Sequence, residues 1–182
     1  ANYKGGMDLT LTVIKGLKSE IYVPITPQPV WTPVDKPLNE MVIALVTAAG
    51  VHLKSDERFN LAGDTSFRIV PGDSIDSDLM VSHGGYDNSD VNKDINCMFP
   101  IDRLRELEEE GFIKKVAPKH IGFMGGGGNV KAFKEITGPK IAHILKEEGV
   151  DAVVMTGGWG TCHRSAVIVQ RAIEEAGIPT II

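Results

Sequence analysis

Continuous apolar runs alternate with amphipathic stretches along this chain, and that alternation constrains its fold more than any other feature. Such runs are typical of strands that are covered on both faces. They lie at 41–46, 67–70, 78–81, 120–124, 152–155 and 178–182. Helical patterns lie between several of them, at about 100–111, 139–148 (with Thr137 as a possible cap) and 162–175. The alternation predicts an α/β fold: an open, mostly parallel sheet with helices on both faces.

The composition fits one folded domain and excludes several classes of protein. The 182 residues are 42% hydrophobic and 24% charged, which suits a chain that forms a single core. No apolar run approaches the roughly 20 residues of a membrane helix. The net charge of -5, without a Lys/Arg-dense stretch, disfavours nucleic-acid binding. Cys97 and Cys162 cannot make a disulfide framework and no secretory leader is evident, so we expect a cytoplasmic protein.

Composition also divides the chain into segments. Residues 1–6 read as an artificial extension before the native start. Residues 7–40 carry prolines at 24, 27, 29, 33 and 37 and are predicted to form an extended arm. This arm either packs along the domain with Trp31 as its anchor or docks onto a partner protein. Residues 41–182 form the α/β domain, and because the sequence stops inside the run 178–182, we expect a C-terminal part to be missing.

Ligands gather at the carboxyl ends of strands in open parallel sheets, so the candidate residues are those that follow the apolar runs. The glycines at 125–128 with Asn129 could bring backbone amides to a phosphate, or form a wide turn beside a neighbouring loop. They lack the spacing of the dinucleotide and phosphate-loop motifs. His83 and Asp90 could supply protons after the run 78–81. The Asx-rich loop around Asp90 does not match a calcium loop, and no metal site is predicted.

The most informative turn is 156–165, with the sequence TGGWGTCHRS, between a strand pattern and an amphipathic helix. Cys162 falls at the predicted helix start, where backbone amides stabilise a thiolate, and His163 and Arg164 add donors. An inert core cysteine is the alternative. Trp159 lies three residues before Cys162, the spacing of a Cys-x-x-Cys redox pair with the first cysteine replaced. The glycines that would give a small nucleophile room are Gly157, Gly158 and Gly160.

Four long segments, 46–74, 80–107, 120–130 and 160–182, carry a further signal. Together they resemble the selenoprotein subunits of the clostridial amino-acid reductases, most closely the branch that acts on D-proline. The branches for glycine, sarcosine and betaine are the first alternative, and a non-catalytic α/β module that binds a phosphate ligand is the second. In the family that the chain resembles, selenocysteine occupies the position of Trp159, and its codon UGA differs by one base from the tryptophan codon UGG.

The resemblance implies reductive ring cleavage of D-proline to 5-aminovalerate, with a dithiol as the reductant. A pyruvoyl group on a partner subunit would bind the substrate amine. A selenolate at position 159 would attack the α-carbon, Cys162 would be the resolving thiol, and His163 would manage protons. The residues expected to bind substrate are Arg164, Gly157, Gly158, Gly160, His83 and Asp90. With Trp159 the chain should fold but be inactive, unless this tryptophan is native to a structural subunit.

Overall fold

The structure is a computed structural model that describes residues 30–127 and 129–182. The strands are β1 (Val42–Thr47), β2 (Val51–Leu53), β3 (Phe67–Pro71), β4 (Leu79–Val81), β5 (Lys115–Val116), β6 (Lys119–Phe123), β7 (Ala152–Thr156) and β8 (Thr180–Ile181). The α-helices are α1 (Ile101–Glu109), α2 (Val130–Ala132), α3 (Gly138–Glu147) and α4 (Gly160–Glu175). A π-helical turn, Phe133–Thr137, joins α2 to α3, and short 3₁₀ turns lie at Leu38–Glu40, Asp76–Asp78 and Ile95–Cys97.

The main sheet has the strand order β3-β6-β1-β7-β8, with β5 beside the start of β1. Pairing is parallel between β1 and β6, between β1 and β7 and between β7 and β8, whereas the edge strand β3 is antiparallel to β6. The prediction of a mostly parallel sheet is therefore confirmed. The apolar run 78–81 was wrongly placed in this sheet, because β4 pairs with β2 in a separate antiparallel ribbon.

Apolar side chains on the two faces of β1 enter two different cores. Ala44 and Val46 pack into the core under α3 and α4, while Ile43 and Leu45 pack into the core under α1 and the β2-β4 ribbon. A strand covered on both faces must be apolar at every position, which explains the continuous run in the sequence. Helices thus cover both faces, as predicted. Within the described residues, no helix is long and apolar enough to cross a membrane.

The helix predicted to begin at Pro139 starts earlier, and Thr137 is not its cap. The side chain of Asn129 caps α2 by accepting two backbone N–H groups, and the helix then continues through the π-helical turn into α3. Pro139 lies inside this continuous helix, where it can donate no hydrogen bond, and the wider π turn precedes it. The hydroxyl of Thr137 instead donates to the carbonyl of Thr65 at 2.6 Å. Local cap and proline signals therefore gave the wrong start.

Part of the proline-rich arm can be compared with its prediction. The segment 1–6 and the arm residues 7–29 lie outside the described residues. Trp31 is 79% exposed, so the prediction that it anchors the arm is wrong. Leu38–Glu40 form a 3₁₀ turn rather than an extended segment.

Polar side chains, not the indole, attach the described part of the arm to the domain. The backbone N–H of Thr32 donates to the carboxylate of Glu174 at 2.6 Å, and its hydroxyl donates to the carbonyl of the same residue at 2.8 Å. Lys36 forms an ion pair with Asp151 at 2.9 Å. Because Glu174 lies on α4, the arm is fixed to the helix that begins at the candidate site described next.

Candidate functional site

Loops from three neighbouring strands meet at one edge of the main sheet. The strands β1, β6 and β7 are parallel, so their carboxyl ends lie together. The N–H of Ala48 donates to the carbonyl of Thr156 at 2.9 Å, and the N–H of Gly125 donates to the carbonyl of Ala48 at 3.0 Å. In the sheet, β6 and β7 lie on opposite sides of β1. The carboxyl end of β1 is therefore the topological switch point, which is where open α/β sheets bind ligands.

Cys162 lies in the first turn of α4 with its side chain fully buried, at 0% exposure. Burial raises the pKa of the Cys162 thiol, and hydrogen bonds with the backbone at Trp159 and Gly158 offset this only in part. Its position at the helix start led us to expect a stabilised thiolate. That expectation is wrong in direction, because desolvation disfavours the thiolate more than the backbone amides favour it.

His83 contacts Cys162 directly, with 2.8 Å between Nε2 and Sγ. The imidazole is 5% exposed, and burial lowers its pKa, which favours the neutral ring. The backbone N–H of Gly85 donates to Nδ1 at 2.9 Å. His83 enters this edge of the sheet from the end of β4, and the sequence predicted its presence there but not its contact with the cysteine.

Trp159 is the N-cap residue of α4 and has extended backbone angles, with φ at -153° and ψ at 163°. Its carbonyl accepts the backbone N–H of His163 at 3.1 Å, which closes the first helical turn. Its indole makes no capping hydrogen bond to any described residue. An N-cap side chain normally accepts from the second or third amide of the helix, and an indole has no acceptor for that purpose. The side chain of Trp159 therefore does not cap the first backbone N–H groups of α4.

The indole of Trp159 is 52% exposed and lines an open cleft of about 180 Å³. Four of the residues that line the cleft are glycines, from the loops after β4 and β6. Besides Trp159, the lining residues are Leu61, His83, Gly84, Gly85, Met124, Gly126, Gly127 and Thr161. Position 159 thus faces solvent at the mouth of the cleft, while the sulfur of Cys162 lies buried behind it.

Glycines let these loops approach closely. A Cβ on Gly125 would lie 2.7 Å from Cα of Cys162, and one on Gly126 would lie 3.2 Å from Cε1 of His83. The described part of the glycine run therefore packs against the cysteine and its histidine. This matches the interpretation as a turn that leaves space for a neighbouring loop. A Cβ on Gly160, in contrast, would meet no described atom within 4 Å.

Tyr86 belongs to the same site, although the sequence analysis assigned it no role. Its ring covers Gly158, where an added Cβ would lie 2.4 Å from Cε1 of the tyrosine. The ring centroid lies 4.9 Å from that of His83, and the hydroxyl donates to the carbonyl of Ala49 at 3.0 Å. Burial raises the pKa of Tyr86 to about 12. An aromatic residue directly after Gly84 and Gly85 was the available sequence signal.

The remaining predicted side chains are, unlike that of His83, wholly or partly exposed. His163 is exposed, and its Nδ1 donates to the carbonyl of Trp159 at 2.8 Å. Arg164 is half-buried on α4. Asp90 is exposed and forms a surface ion pair with Lys93 at 2.8 Å, so the structure does not bring it to the cysteine. In the part of the chain that the structure describes, no group of three His, Cys, Asp or Glu side chains could hold a metal.

Comparison with known proteins places these features in a family. The model described as glycine/sarcosine/betaine reductase selenoprotein B matches residues 4–158, a range that ends just before Trp159. The chain is 75% identical over 172 residues to "D-proline reductase subunit gamma" of Acetoanaerobium sticklandii, which covers 94% of the chain and 71% of that relative. No solved structure gives a significant match.

Two more distant relatives belong to other amino-acid reductases. The chain is 34% identical to "Glycine reductase complex component B subunit gamma" of Carboxydothermus hydrogenoformans, over 98% of the chain and 42% of the relative. It is also 34% identical to "Sarcosine reductase complex component B subunit beta" of Peptoclostridium acidaminophilum, over 96% of the chain and 42% of the relative. The chain therefore spans less than half the length of these two relatives.

Proposed function

The chain belongs to the glycine/sarcosine/betaine reductase selenoprotein B family, and on that basis we propose that it is the redox subunit of a reductase complex that opens the ring of D-proline. The choice of D-proline follows from the relative at 75% identity, which is named for that substrate, against 34% for the glycine and sarcosine relatives. The proposed products are 5-aminovalerate and the disulfide of a dithiol reductant.

The observation that carries the proposal is the position of residue 159 relative to Cys162. Residue 159 is an N-cap at the mouth of a cleft, and it is one closed helical turn away from a buried cysteine. A selenolate fits this position because it can accept the first amides of α4, as an N-cap side chain does, while facing the cleft. The indole of Trp159 also faces the cleft, but it has no acceptor for these amides.

When present, a selenolate at position 159 would supply the nucleophile that displaces nitrogen from the α-carbon, and a pyruvoyl group on the partner subunit would hold the substrate amine. The residues of this chain prepare the site. The glycines at 157, 158 and 160 add no side chains to the turn; Tyr86 covers Gly158, and a substrate atom can approach at Gly160, which has open space beside it among the described residues. Cys162 lies within reach as the resolving thiol. We assign Arg164 to the substrate carboxylate and His163 to proton transfer at the exposed mouth.

In this proposal the Trp159 form is inactive. An indole cannot ionise to a nucleophile at neutral pH and cannot bond to the sulfur of Cys162. The rest of the described site needs no selenium to form, since the glycine contacts, the Tyr86 wall and the His83 contact are all present with tryptophan. The substitution should therefore remove turnover without unfolding the domain.

The test is turnover of D-proline by the complex reconstituted with the partner subunit and a dithiol. We expect no 5-aminovalerate from the Trp159 form and turnover from a form with selenocysteine at 159. Trp159→Ser is the matched control, because serine also caps the helix but cannot form a bond to Cys162. Equal turnover by the tryptophan and selenocysteine forms would contradict the proposal. Turnover of glycine, sarcosine or betaine, without D-proline, would assign the chain to the other branches.

A further inference from the structure

The hydrogen bonds around His83 determine which of its nitrogens carries the proton. A backbone N–H can only donate, so Nδ1 must accept the hydrogen bond from Gly85 and is unprotonated. In the neutral ring the proton is then on Nε2, which lies 2.8 Å from Sγ of Cys162. The sulfur is therefore the acceptor of this hydrogen bond, and in this tautomer His83 cannot take the proton of the thiol.

We propose that His83 is a positioning residue that holds the sulfur of Cys162 and stabilises it as a thiolate. A hydrogen bond to an ionised group is stronger than one between neutral groups, so the donor favours the thiolate over the thiol. The role opposes the effect of burial on Cys162. It differs from the substrate-binding role that the sequence resemblance gave to His83, because the imidazole is buried and directed at the sulfur.

This inference deepens the proposed function and rests on it for the reductive step. In the form with selenocysteine at 159, the starting state of that step is a selenium–sulfur bond between residue 159 and Cys162, and a thiolate of the dithiol attacks the selenium. That bond breaks, a bond from the reductant sulfur to residue 159 forms, and the electron pair leaves on the sulfur of Cys162. The second thiolate of the dithiol then attacks the first reductant sulfur, which oxidises the dithiol to a disulfide and releases residue 159 in its reduced form.

Accessibility explains why Cys162 is the leaving group. Cys162 is 0% exposed and Trp159 is 52% exposed, so an external thiolate reaches residue 159 first. Exchange is faster when the leaving thiol has a lower pKa. Of the described titratable side chains, His83 and Tyr86 interact with the sulfur, and Tyr86 stays neutral because burial raises its pKa. The released thiolate thus meets the imidazole N–H of His83, together with the hydroxyl of Thr161 and backbone N–H groups of the same turn.

The experiment is a titration of the Cys162 thiol by NMR of its ¹³Cβ, in a Cys97→Ser background so that one cysteine is observed. His83→Leu should raise the pKa of the thiol by at least about one, which is a tenfold change in the ionisation constant. His83→Gln, whose side-chain amide can still donate, should restore most of the original value. His143→Leu is the matched control, since His143 is an exposed histidine on α3 that pairs with Glu147. It should change nothing.

Two results would overturn the inference. Equal pKa values in the His83→Leu and His83→Gln forms would show a packing effect instead of a hydrogen bond. A ¹⁵N spectrum of the unsubstituted chain with the proton on Nδ1 of His83 would exclude the donor role even if no His83 variant folds. Neither measurement uses D-proline. If these measurements contradict the hydrogen bond while the selenocysteine form turns over D-proline, the role of His83 alone is removed. If they support the hydrogen bond and the selenocysteine form does not turn over D-proline, the proposed function alone is removed.

Discussion

Replacement of Trp159 by cysteine should turn the start of α4 into a disulfide-forming pair. The carbonyl of Trp159 accepts the N–H of His163, so residues 159 and 162 lie three apart on a closed helical turn. Side chains at this spacing have Cβ atoms about 5–6 Å apart in a regular helix, and an extended N-cap can bring its side chain closer to the bonding range of about 3.5–4.5 Å. We expect the Trp159→Cys form to oxidise to a bond between Cys162 and the new cysteine.

The magnitude follows from the small loop that the bond closes. A loop of four residues, 159–162, restricts the unfolded chain by about 2 kcal/mol. Divided by the entropy of unfolding of a chain of 182 residues, this free-energy difference corresponds to a rise of about 5 °C in Tm. Both values compare the oxidised and reduced forms of one variant, so the lost contacts of the indole cancel.

Thiol titration and calorimetry measure the two effects. The reduced variant should show three reactive thiols after unfolding, and the oxidised variant one, because the exposed Cys97 stays free. The control is Trp159→Cys combined with Cys162→Ser, which should show no shift of Tm between oxidising and reducing buffers. Three free thiols after incubation with oxidised glutathione would refute the geometry at the N-cap, and with it the fit of a selenolate there.

Two further predictions test the packing of the site and its response to acid. Gly125→Ala should lower the free energy of unfolding by about 1–3 kcal/mol in denaturant titrations, because its Cβ would lie 2.7 Å from Cα of Cys162, whereas Gly160→Ala should lower it by no more than a few tenths. Burial lowers the pKa of His120 to about 4, so stability that is complete above pH 6.5 should be lost as pH falls to 4, by up to about 1.4 kcal/mol per pH unit. His120→Asn, which can still accept the N–H of Leu45, should flatten that slope, and an unchanged slope would contradict the assignment.

The sequence identified five strands of the main sheet as apolar runs, and in β1 and β6 almost every position is buried, as a strand covered on both faces requires. It missed β2 and β5, which are short strands of three and two residues. His52 lies in β2 and Lys115 lies in β5, so neither segment is part of a continuous apolar run, and the strand conformation of each depends on a partner elsewhere in the chain. The true start of the helix that contains α3, at Val130, was missed because a misleading local signal was present. Pro139 gave a strong local signal, and the π-helical turn before it let the helix continue.

At the site, residue types were predictable and their environments were not. The spacing of Trp159 and Cys162 and the helix that follows them are local features, so the turn could be identified as a redox motif from sequence. The pKa of the thiol depends on burial, which many distant residues determine together, and the helix rule alone gave the wrong direction. Asp90 followed the same apolar run as His83, yet only the histidine reaches the cysteine.

The reason that His83 reaches Cys162 lies in the β2-β4 ribbon rather than in the main sheet. The chain turns back after β1 at Gly50, where the φ of 81° and the clash that an added Cβ would make with the carbonyl of Ser82 both favour glycine. The antiparallel pairing of Val51 with Val81 then returns the end of β4 to the carboxyl end of β1. His83 follows directly and meets the loops after β6 and β7. The strand-end rule therefore gave the right neighbourhood although β4 is not in the parallel sheet, because an antiparallel ribbon that starts at a strand end also finishes there.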